Sequence, residues 1–170
     1  MYRTIAEFVD EWTTESAISL KVERALTDAA LQQPIYPQGR SLGQLAWHMV
    51  LMIGMTGSIV GLEVAAPPRG AEQPGSAARI ADAYQTAAHS MIEQASAKLT
   101  DAQLPSEIAF FGRSLPTARV LQTLVVHQIH HRGQMTVLMR QAGLVPPGVY
   151  GPTREEAEAI RGKQEGKQAL

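Results

Sequence analysis

The amino-acid sequence predicts an all-α protein, a four-helix bundle with a short C-terminal helix. Apolar residues recur at intervals of three and four along most of the chain, which is the period of a helix with one buried face. Proline and glycine clusters divide the chain into four long segments with this period. No segment shows the alternation typical of a strand, so we expect no strand. With 170 residues, 45% of them hydrophobic, residues 1–170 fit one domain better than two.

The first helix is predicted over residues 4–30, and the proline- and glycine-containing segment 34–39 follows it. Its apolar stripe is interrupted by Ser16, Ser19 and Glu23. These polar positions indicate that the helix faces something less uniform than an apolar core.

The second helix is predicted to begin after Ser41, a good N-cap residue, and to end near Gly61. It is apolar on nearly all sides and precedes a loop at 65–70 that is rich in proline and glycine. The third helix is capped by Ser76 and runs to about Leu99.

Residues 101–115 are the least periodic part of the chain, and Phe110-Phe111-Gly112 is consistent with an extended crossover. The fourth helix is predicted to begin at Pro116, with Ser114 or Leu115 at its cap position.

The fourth helix is expected to run to about Ala142, because Gly143 suits a C-terminal stop and prolines follow at 146–147. The charged segment from Thr153 predicts a short helix that frays toward Leu170.

The composition excludes several classes of chemistry and partner. The chain has no cysteine, which removes disulfides, thiolate nucleophiles and cysteine-bound zinc. A net charge of -1 gives no general attraction to nucleic acid or to anionic membranes. The N-terminus carries an early acidic residue and no apolar stretch, so we expect a cytoplasmic protein.

One segment has the length of a membrane span. Residues 42–62 form an apolar run about long enough to cross a bilayer. Gln44, His48 and Ser58 interrupt this run, and no basic cluster flanks it. We therefore interpret it as a buried helix of the bundle and expect no membrane association.

Three of the five histidines lie on the fourth helix. His127 and His131 are four residues apart, so their imidazoles lie on the same face, which is a spacing that can chelate a metal. His48 interrupts the apolar second helix and could supply a third ligand. The alternative is a buried histidine bonded to a neighbouring carbonyl oxygen. The residues alone leave both interpretations open.

The pattern around His127 also invites comparison with zinc peptidases. These enzymes carry His-Glu-x-x-His, in which the glutamate is the general base. The corresponding residue here is Gln128, whose amide cannot accept the proton. A peptidase of that mechanism is therefore disfavoured.

Two segments resemble the motifs of the DinB-like family. They are Arg40-Ser41-Leu42-Gly43-Gln44-Leu45-Ala46-Trp47-His48 and His127-Gln128-Ile129-His130-His131-Arg132-Gly133-Gln134. The resemblance continues through two segments after the second motif, so it spans essentially the whole chain. These segments are Arg140-Gln141-Ala142-Gly143-Leu144 and Pro147-Gly148-Val149-Tyr150-Gly151-Pro152.

The resemblance implies a four-helix bundle, usually a homodimer, with three histidines that bind a divalent metal. By motif position the ligands are His48, His127 and His131. The family is related to metal-dependent transferases that use low-molecular-weight thiols, although most members have no established reaction. Zinc and nickel are the metals we expect, since imidazole suits both.

Other residues near these motifs are weaker candidates for catalysis. His130 should face away from a metal held by His127 and His131. Gln134 lies on the same general face of the helix as those two residues, where it either supports a ligand from behind or faces the substrate. Tyr150 could cover the open end of the bundle or pack in a rigid turn. Glu63 and Glu107 are carboxylates with no assigned place.

Two further sets of residues have structural interpretations. We expect Arg132 to form a salt bridge and His89 to be structural or exposed. The methionines at helical spacing are interpreted as pliable core residues: Met49, Met52, Met55, Met135 and Met139.

Three functions that use the site remain compatible with these residues, beside a structural or interaction protein whose histidines are packed and whose apolar segment 42–62 serves dimerisation. Three neutral imidazoles leave a cation with an open position, so thiol transfer and hydrolysis both fit. The scarcity of carboxylates near the motifs slightly favours thiol transfer. The third function is a bundle that binds a metal or small molecule without turnover. The substrate is a small molecule that the sequence does not identify.

Overall fold

The predicted all-α bundle is confirmed. The structure is a computed structural model that describes the backbone of residues 1–168 and the side chains of residues 1–164. Its helices are α1 (Ile5–Glu23), α2 (Leu42–Ile59), α3 (Ala77–Lys98), α4 (Thr117–Gln141) and α5 (Arg154–Gln168). A hairpin of β1 (Glu107–Phe110) and β2 (Arg113–Pro116) precedes α4.

The four long helices pack so that α1 and α2 occupy opposite corners of the bundle. Both α1 and α2 contact α3 and α4. The core between them is apolar and contains these fully buried side chains, among others: Phe8, Trp12, Leu45, Ile53, Ile80, Tyr84, Met91, Leu121, Val125 and Met135. This arrangement makes α2 and α4 neighbours, although the β-hairpin and α3 separate them in sequence.

The starts of α2 and α3 are stabilised by side chains, in α3 from a distant segment. Ser41 and Gln44 form a capping box at α2, as its N-cap position predicts. Ser76 occupies the N-cap position of α3 but makes no capping bond with its side chain. The carboxylate of Asp28 accepts from Ala77 N instead, at 2.7 Å. A tertiary contact therefore replaces the local cap.

The predicted first helix is too long. α1 ends at Glu23, and Thr27 caps a short 3₁₀ turn at Asp28–Gln32. Leu26 is nevertheless buried, so the apolar stripe continues although the helix does not. The period of apolar residues reports burial, and here the side chain of Thr27 accepts from Ala30 N and starts a new turn.

The expectation of no strand is wrong. The hairpin turns at Phe111 and Gly112, whose φ angles are 47° and 77°. Its four-residue strands are exposed or half-buried, so they leave no apolar alternation in the sequence. Ser114 and Leu115 belong to β2, and Pro116 occupies the cap position of α4.

The C-terminal end of α4 agrees with its predicted stop. Gly143 has a φ of 78°, and Leu144 N donates to Met139 O at 2.8 Å. This is a Schellman ending, which requires the left-handed conformation that glycine adopts readily. Arg140 then pairs with Glu155 of α5. The predicted fraying toward Leu170 lies outside the described residues.

Helix α2 passes a length and hydropathy test for a membrane span, with 18 residues and mean hydropathy 1.2. However, 56% of this segment is buried inside the bundle. The core helix of a water-exposed bundle passes the same test, so the finding is weak evidence for a membrane.

Candidate metal site

The packing of α2 against α4 brings the three predicted ligands together. His48 lies on α2, and His127 and His131 lie one turn apart on α4. The Nε2 atom of His127 is 3.3 Å from Nε2 of His48 and 3.0 Å from Nε2 of His131. We call these three residues the histidine cluster.

The spacing of these nitrogens fits a bound divalent cation. Tetrahedral zinc with Zn–N bonds of 2.0–2.1 Å separates its ligand nitrogens by about 3.3 Å. The observed separations of 3.0 and 3.3 Å lie close to that value. The candidate ligand atoms of His48, His127 and His131 all lie within 4.8 Å of one another, which is close enough to hold one metal ion.

The surroundings keep the cluster histidines neutral at pH 7. Burial is the main cause that lowers the pKa of His48 and the pKa of His127 to about 4, and the neighbouring histidines and Arg40 make smaller contributions in the same direction. Burial also lowers the pKa of His131. A neutral imidazole offers the lone pair that a metal requires.

Gln134 orients one of the three rings. Its Oε1 lies 2.7 Å from Nδ1 of His131, which places the proton on Nδ1 and leaves Nε2 free to face the cluster. The Nδ1 atom of His127 is buried and has no such partner among the described residues. Of the two positions foreseen for Gln134, the structure therefore places it behind His131, a candidate ligand.

Gln128 faces away from the cluster, into the core. Its Nε2 donates to the backbone oxygen of Met49 at 3.0 Å, and its Oε1 accepts from the hydroxyl of Tyr84 at 3.1 Å. The side chain is fully buried. The residue at the position of the peptidase glutamate thus connects α2, α3 and α4 directly behind His48 and His127.

Four cavities border His48 or His127, and their charged side chains are all arginines. Arg119, Arg69 and Arg40 each line one of them. No aspartate or glutamate among the described residues lines any of the four. The site is therefore locally positive in a chain whose net charge is -1.

The remaining candidates lie outside the cluster. His130 is exposed and shares a cavity of about 410 Å³ with Arg119 and His127. Glu63 and Glu107 are exposed and line none of the four cavities. His89 is exposed beside Glu93, as expected.

Tyr150 belongs to a different part of the molecule. Its hydroxyl donates to Glu15 at 2.7 Å and accepts from Arg132, and it lines none of the four cavities. Arg132 is buried and forms the expected salt bridge, here with Glu15 at 2.5 Å. It also donates to Ser19, which accounts for one of the three polar positions on α1. Ser16 donates to the backbone oxygen of Thr13, and Glu23 has no partner among the described residues.

Sequence reasoning missed four residues that border the site. Arg40 acts on the pKa values of the histidines. Arg119 lines a cavity with His127, and Arg69 and Phe111 line an apolar cavity beside His48. Met52 and Met55 also line that cavity, whereas the other three methionines are buried in the core as interpreted. The position of Arg40 at the start of the first histidine motif was an available signal. Arg69 lies in a loop and carried none.

The fold and the cluster define a helical-bundle protein with a candidate metal site at the contact of two helices. The chain belongs to the DinB family, whose model matches residues 1–167. The uncharacterized protein YrdA of Bacillus subtilis (strain 168) is 42% identical over 156 residues, which are 92% of this chain and 93% of YrdA.

Two solved structures are similar to this one. A DinB-like protein from Bacillus cereus ATCC 10987 superposes with a TM-score of 0.84 and 44% identity, over 88% of this chain and 100% of that protein. The DinB-like protein YjoA of Bacillus subtilis gives a TM-score of 0.67 at 20% identity, over 87% of this chain and 99% of its own. The second likeness bears on the fold alone.

Proposed function

We propose that this protein is a metal-dependent enzyme, related to thiol S-transferases, whose divalent cation is bound by His48, His127 and His131. The observation that carries the proposal is the approach of three Nε2 atoms to 3.0 and 3.3 Å. Neutral imidazoles that face one another at this distance gain little from hydrogen bonding alone, whereas a shared cation satisfies all three lone pairs.

The charges around the cluster support thiol transfer over hydrolysis. When bound, a divalent cation supplies Lewis-acid chemistry that stabilises a thiolate. Hydrolysis by a general base calls for a carboxylate or similar group within reach of the reacting water. No described carboxylate lines the cavities at the cluster, and the three arginines there favour anionic species.

Metal analysis of untagged protein is the first test. We expect about one zinc or nickel ion per chain in the wild type, and loss of the metal in His48→Ala and in His131→Ala. His89→Ala is the matched control, because His89 is exposed and pairs with no described residue other than Glu93. A wild type without metal after reconstitution with zinc and nickel would overturn the proposal.

The activity is tested on the metal-loaded protein. A panel of low-molecular-weight thiols is offered with the electrophile 1-chloro-2,4-dinitrobenzene, and thioether formation is followed by absorbance. We expect turnover with at least one thiol that disappears in His48→Ala and persists in His89→Ala. Ester or amide hydrolysis without thiol transfer would replace the transferase by a hydrolase. Neither reaction, with metal present, would indicate a bundle that binds without turnover.

A further inference from the structure

A cavity of about 710 Å³ extends from the histidine cluster along the outer side of α2. His48 lies at one end of its α2 wall, and Ser58 and Ile59 lie at the other. Ten residues of helix separate His48 from Ser58, which corresponds to about 15 Å. Met52 and Met55 lie between them, so most of this wall is apolar. We call this space the α2 cavity.

The chain after α2 forms the opposite wall by running back along the helix. Val64 packs against Gly57, and Ala66 packs against Gly54. The approach is so close that a Cβ atom on Gly54 would lie 2.7 Å from the Cβ atom of Ala66, and one on Gly57 would lie closer still to Val64. Further on, the indole nitrogen of Trp47 donates to Ala71 O at 2.8 Å. This antiparallel course places residues 67–70 beside the end of α2 that carries His48.

Arg69 therefore lies at the cluster end of the α2 cavity. It lines the cavity, is exposed, and makes no ion pair among the described residues. No described carboxylate shares the lining with it. An arginine without a counter-ion, at the end of an apolar space, is a suitable partner for a carboxylate, sulfonate or phosphate.

We propose that the α2 cavity binds an amphipathic anion, a small molecule whose acidic group pairs with Arg69 and whose apolar body lies along Met52, Met55 and Ile59. The volume lies within the range of pockets for drug-sized ligands. The two methionines adapt to apolar bodies of different shape. The inference rests on the proposed function in one respect, since it places the acidic group of the substrate beside the histidine cluster.

Two fluorescent probes that share an aromatic body test the proposal. 8-Anilinonaphthalene-1-sulfonate carries an anionic group, and N-phenyl-1-naphthylamine lacks it. We expect the sulfonate to bind the wild type more tightly than the neutral amine. In Arg69→Gln the Kd of the sulfonate should rise about tenfold while that of the amine stays the same, since a hydrogen bond between charged groups is lost.

Arg79→Gln is the matched control, because Arg79 is an exposed arginine that lines none of the four cavities at the cluster. It should leave both Kd values unchanged. Ser58→Trp fills the end of the cavity far from His48 and should weaken both probes. Unfolding curves of each variant establish that the fold is retained.

The inference is overturned if Arg69→Gln binds the sulfonate as the wild type does, if Arg79→Gln weakens it equally, or if neither probe binds because a second copy covers the cavity. His131→Ala separates this test from that of the metal site. His131 does not line the α2 cavity, so this variant should lose the metal and keep sulfonate binding. Arg69→Gln should show the reverse, with the metal content unchanged.

Discussion

At the scale of single residues, burial changes the chemistry of several polar side chains. Glu23 is 1% exposed, and both of its carboxylate oxygens lack a partner among the described residues. Burial raises the pKa of this carboxyl from 4.5 to about 8. The folded protein therefore holds a proton on Glu23 at pH 7, whereas the unfolded chain releases it.

This proton makes the stability depend on pH. Because the folded state binds more protons between pH 4.5 and 8, the free energy of unfolding should fall as the pH rises through that window. Glu23→Gln is expected to flatten this dependence and to be more stable than the wild type at pH 7, by up to about 3 kcal/mol. Urea unfolding at pH 5 and pH 7 measures both effects.

The control for this variant is Glu63→Gln, in which the replaced carboxylate is exposed. It should change the free energy of unfolding little at either pH. Equal pH profiles for the wild type and Glu23→Gln would contradict the assignment of the proton to Glu23.

Gln134 provides a second prediction at this scale. Gln134→Leu removes the acceptor that orients His131, and loss of such a partner typically weakens metal affinity by 10–100-fold. We expect a decrease of about tenfold in zinc affinity, measured by competition with a chromophoric chelator. Gln134→Glu keeps an acceptor and should retain the affinity. Gln141→Leu, at the far end of α4, should have no effect, and a loss equal to that of Gln134→Leu would refute the role.

At the scale of elements, α2, α3 and α4 are joined by the buried amide of Gln128. This amide uses both of its polar atoms, one as donor to Met49 and one as acceptor from Tyr84. A carboxylate has no proton to donate at neutral pH, so the peptidase-like residue does not fit this position.

Gln128→Glu should therefore lower stability and create no peptidase. We expect a loss of about 2–4 kcal/mol in the free energy of unfolding at pH 7, since the variant buries an unpaired charge or loses a bond. Thermal unfolding and a fluorescent peptide substrate measure the two outcomes. Gln122→Glu, half-buried on the same helix, is the control and should cost much less. New peptidase activity in Gln128→Glu would contradict the orientation of this side chain.

The hairpin contributes a strained residue to the site. Phe111 has a φ of 47° and is 68% exposed, and it lines both cavities on the apolar side of His48. A bulky residue in the left-handed region is strained, and such strain is often found at functional positions. The exposed ring is therefore kept at some cost in stability.

Phe111→Gly should weaken ligand binding without lowering the stability of the fold. Glycine adopts this φ without strain, so we expect the free energy of unfolding to stay equal or rise by up to about 1 kcal/mol. Binding of N-phenyl-1-naphthylamine should weaken, because an apolar wall is lost. Phe110→Gly is the contrasting variant, since Phe110 lies in β1 without a positive φ and its replacement should lower stability. A destabilised Phe111→Gly would indicate that the ring serves packing.

At the scale of the whole molecule, the histidine cluster joins segments that are 79 residues apart in sequence. A cation bound there stabilises the folded state only, because the unfolded chain does not hold the ligands together. The predicted homodimer, the cytoplasmic location and the single domain over residues 1–170 concern this scale too, and they stay predictions.

Added zinc should raise the free energy of unfolding by about 3 kcal/mol at a hundredfold excess over its Kd. The lowered pKa values of His48 and His127, about 4, mean that protons compete weakly above pH 5. The metal effect should therefore persist at pH 6 and vanish as the pH falls through 4. In the metal-free protein the unfolded chain protonates these histidines more readily than the folded protein does. The free energy of unfolding should therefore decrease as the pH falls below 6.5. Thermal unfolding with and without zinc measures this, and His131→Ala should not respond.

The sequence by itself determined the long helices and two of the three members of the cluster. Capping residues such as Ser41 and stop signals such as Gly143 act within a few residues, and the four-residue spacing of His127 and His131 fixes their common face. The place of His48 was indicated by its interruption of an apolar helix. The resemblance then completed the set.

Only the structure decided the end of α1, the hairpin, the burial of Glu23 and the cavities. The end of α1 and the hairpin form through local contacts that leave no apolar period in the sequence. The burial of Glu23 and the cavities depend on which distant segments pack together. Asp28 caps α3, Gln128 connects three helices, and Arg69 reaches the site because its segment runs back along α2. Local patterns of apolar residues record that a side chain is buried, but they do not record what lies against it.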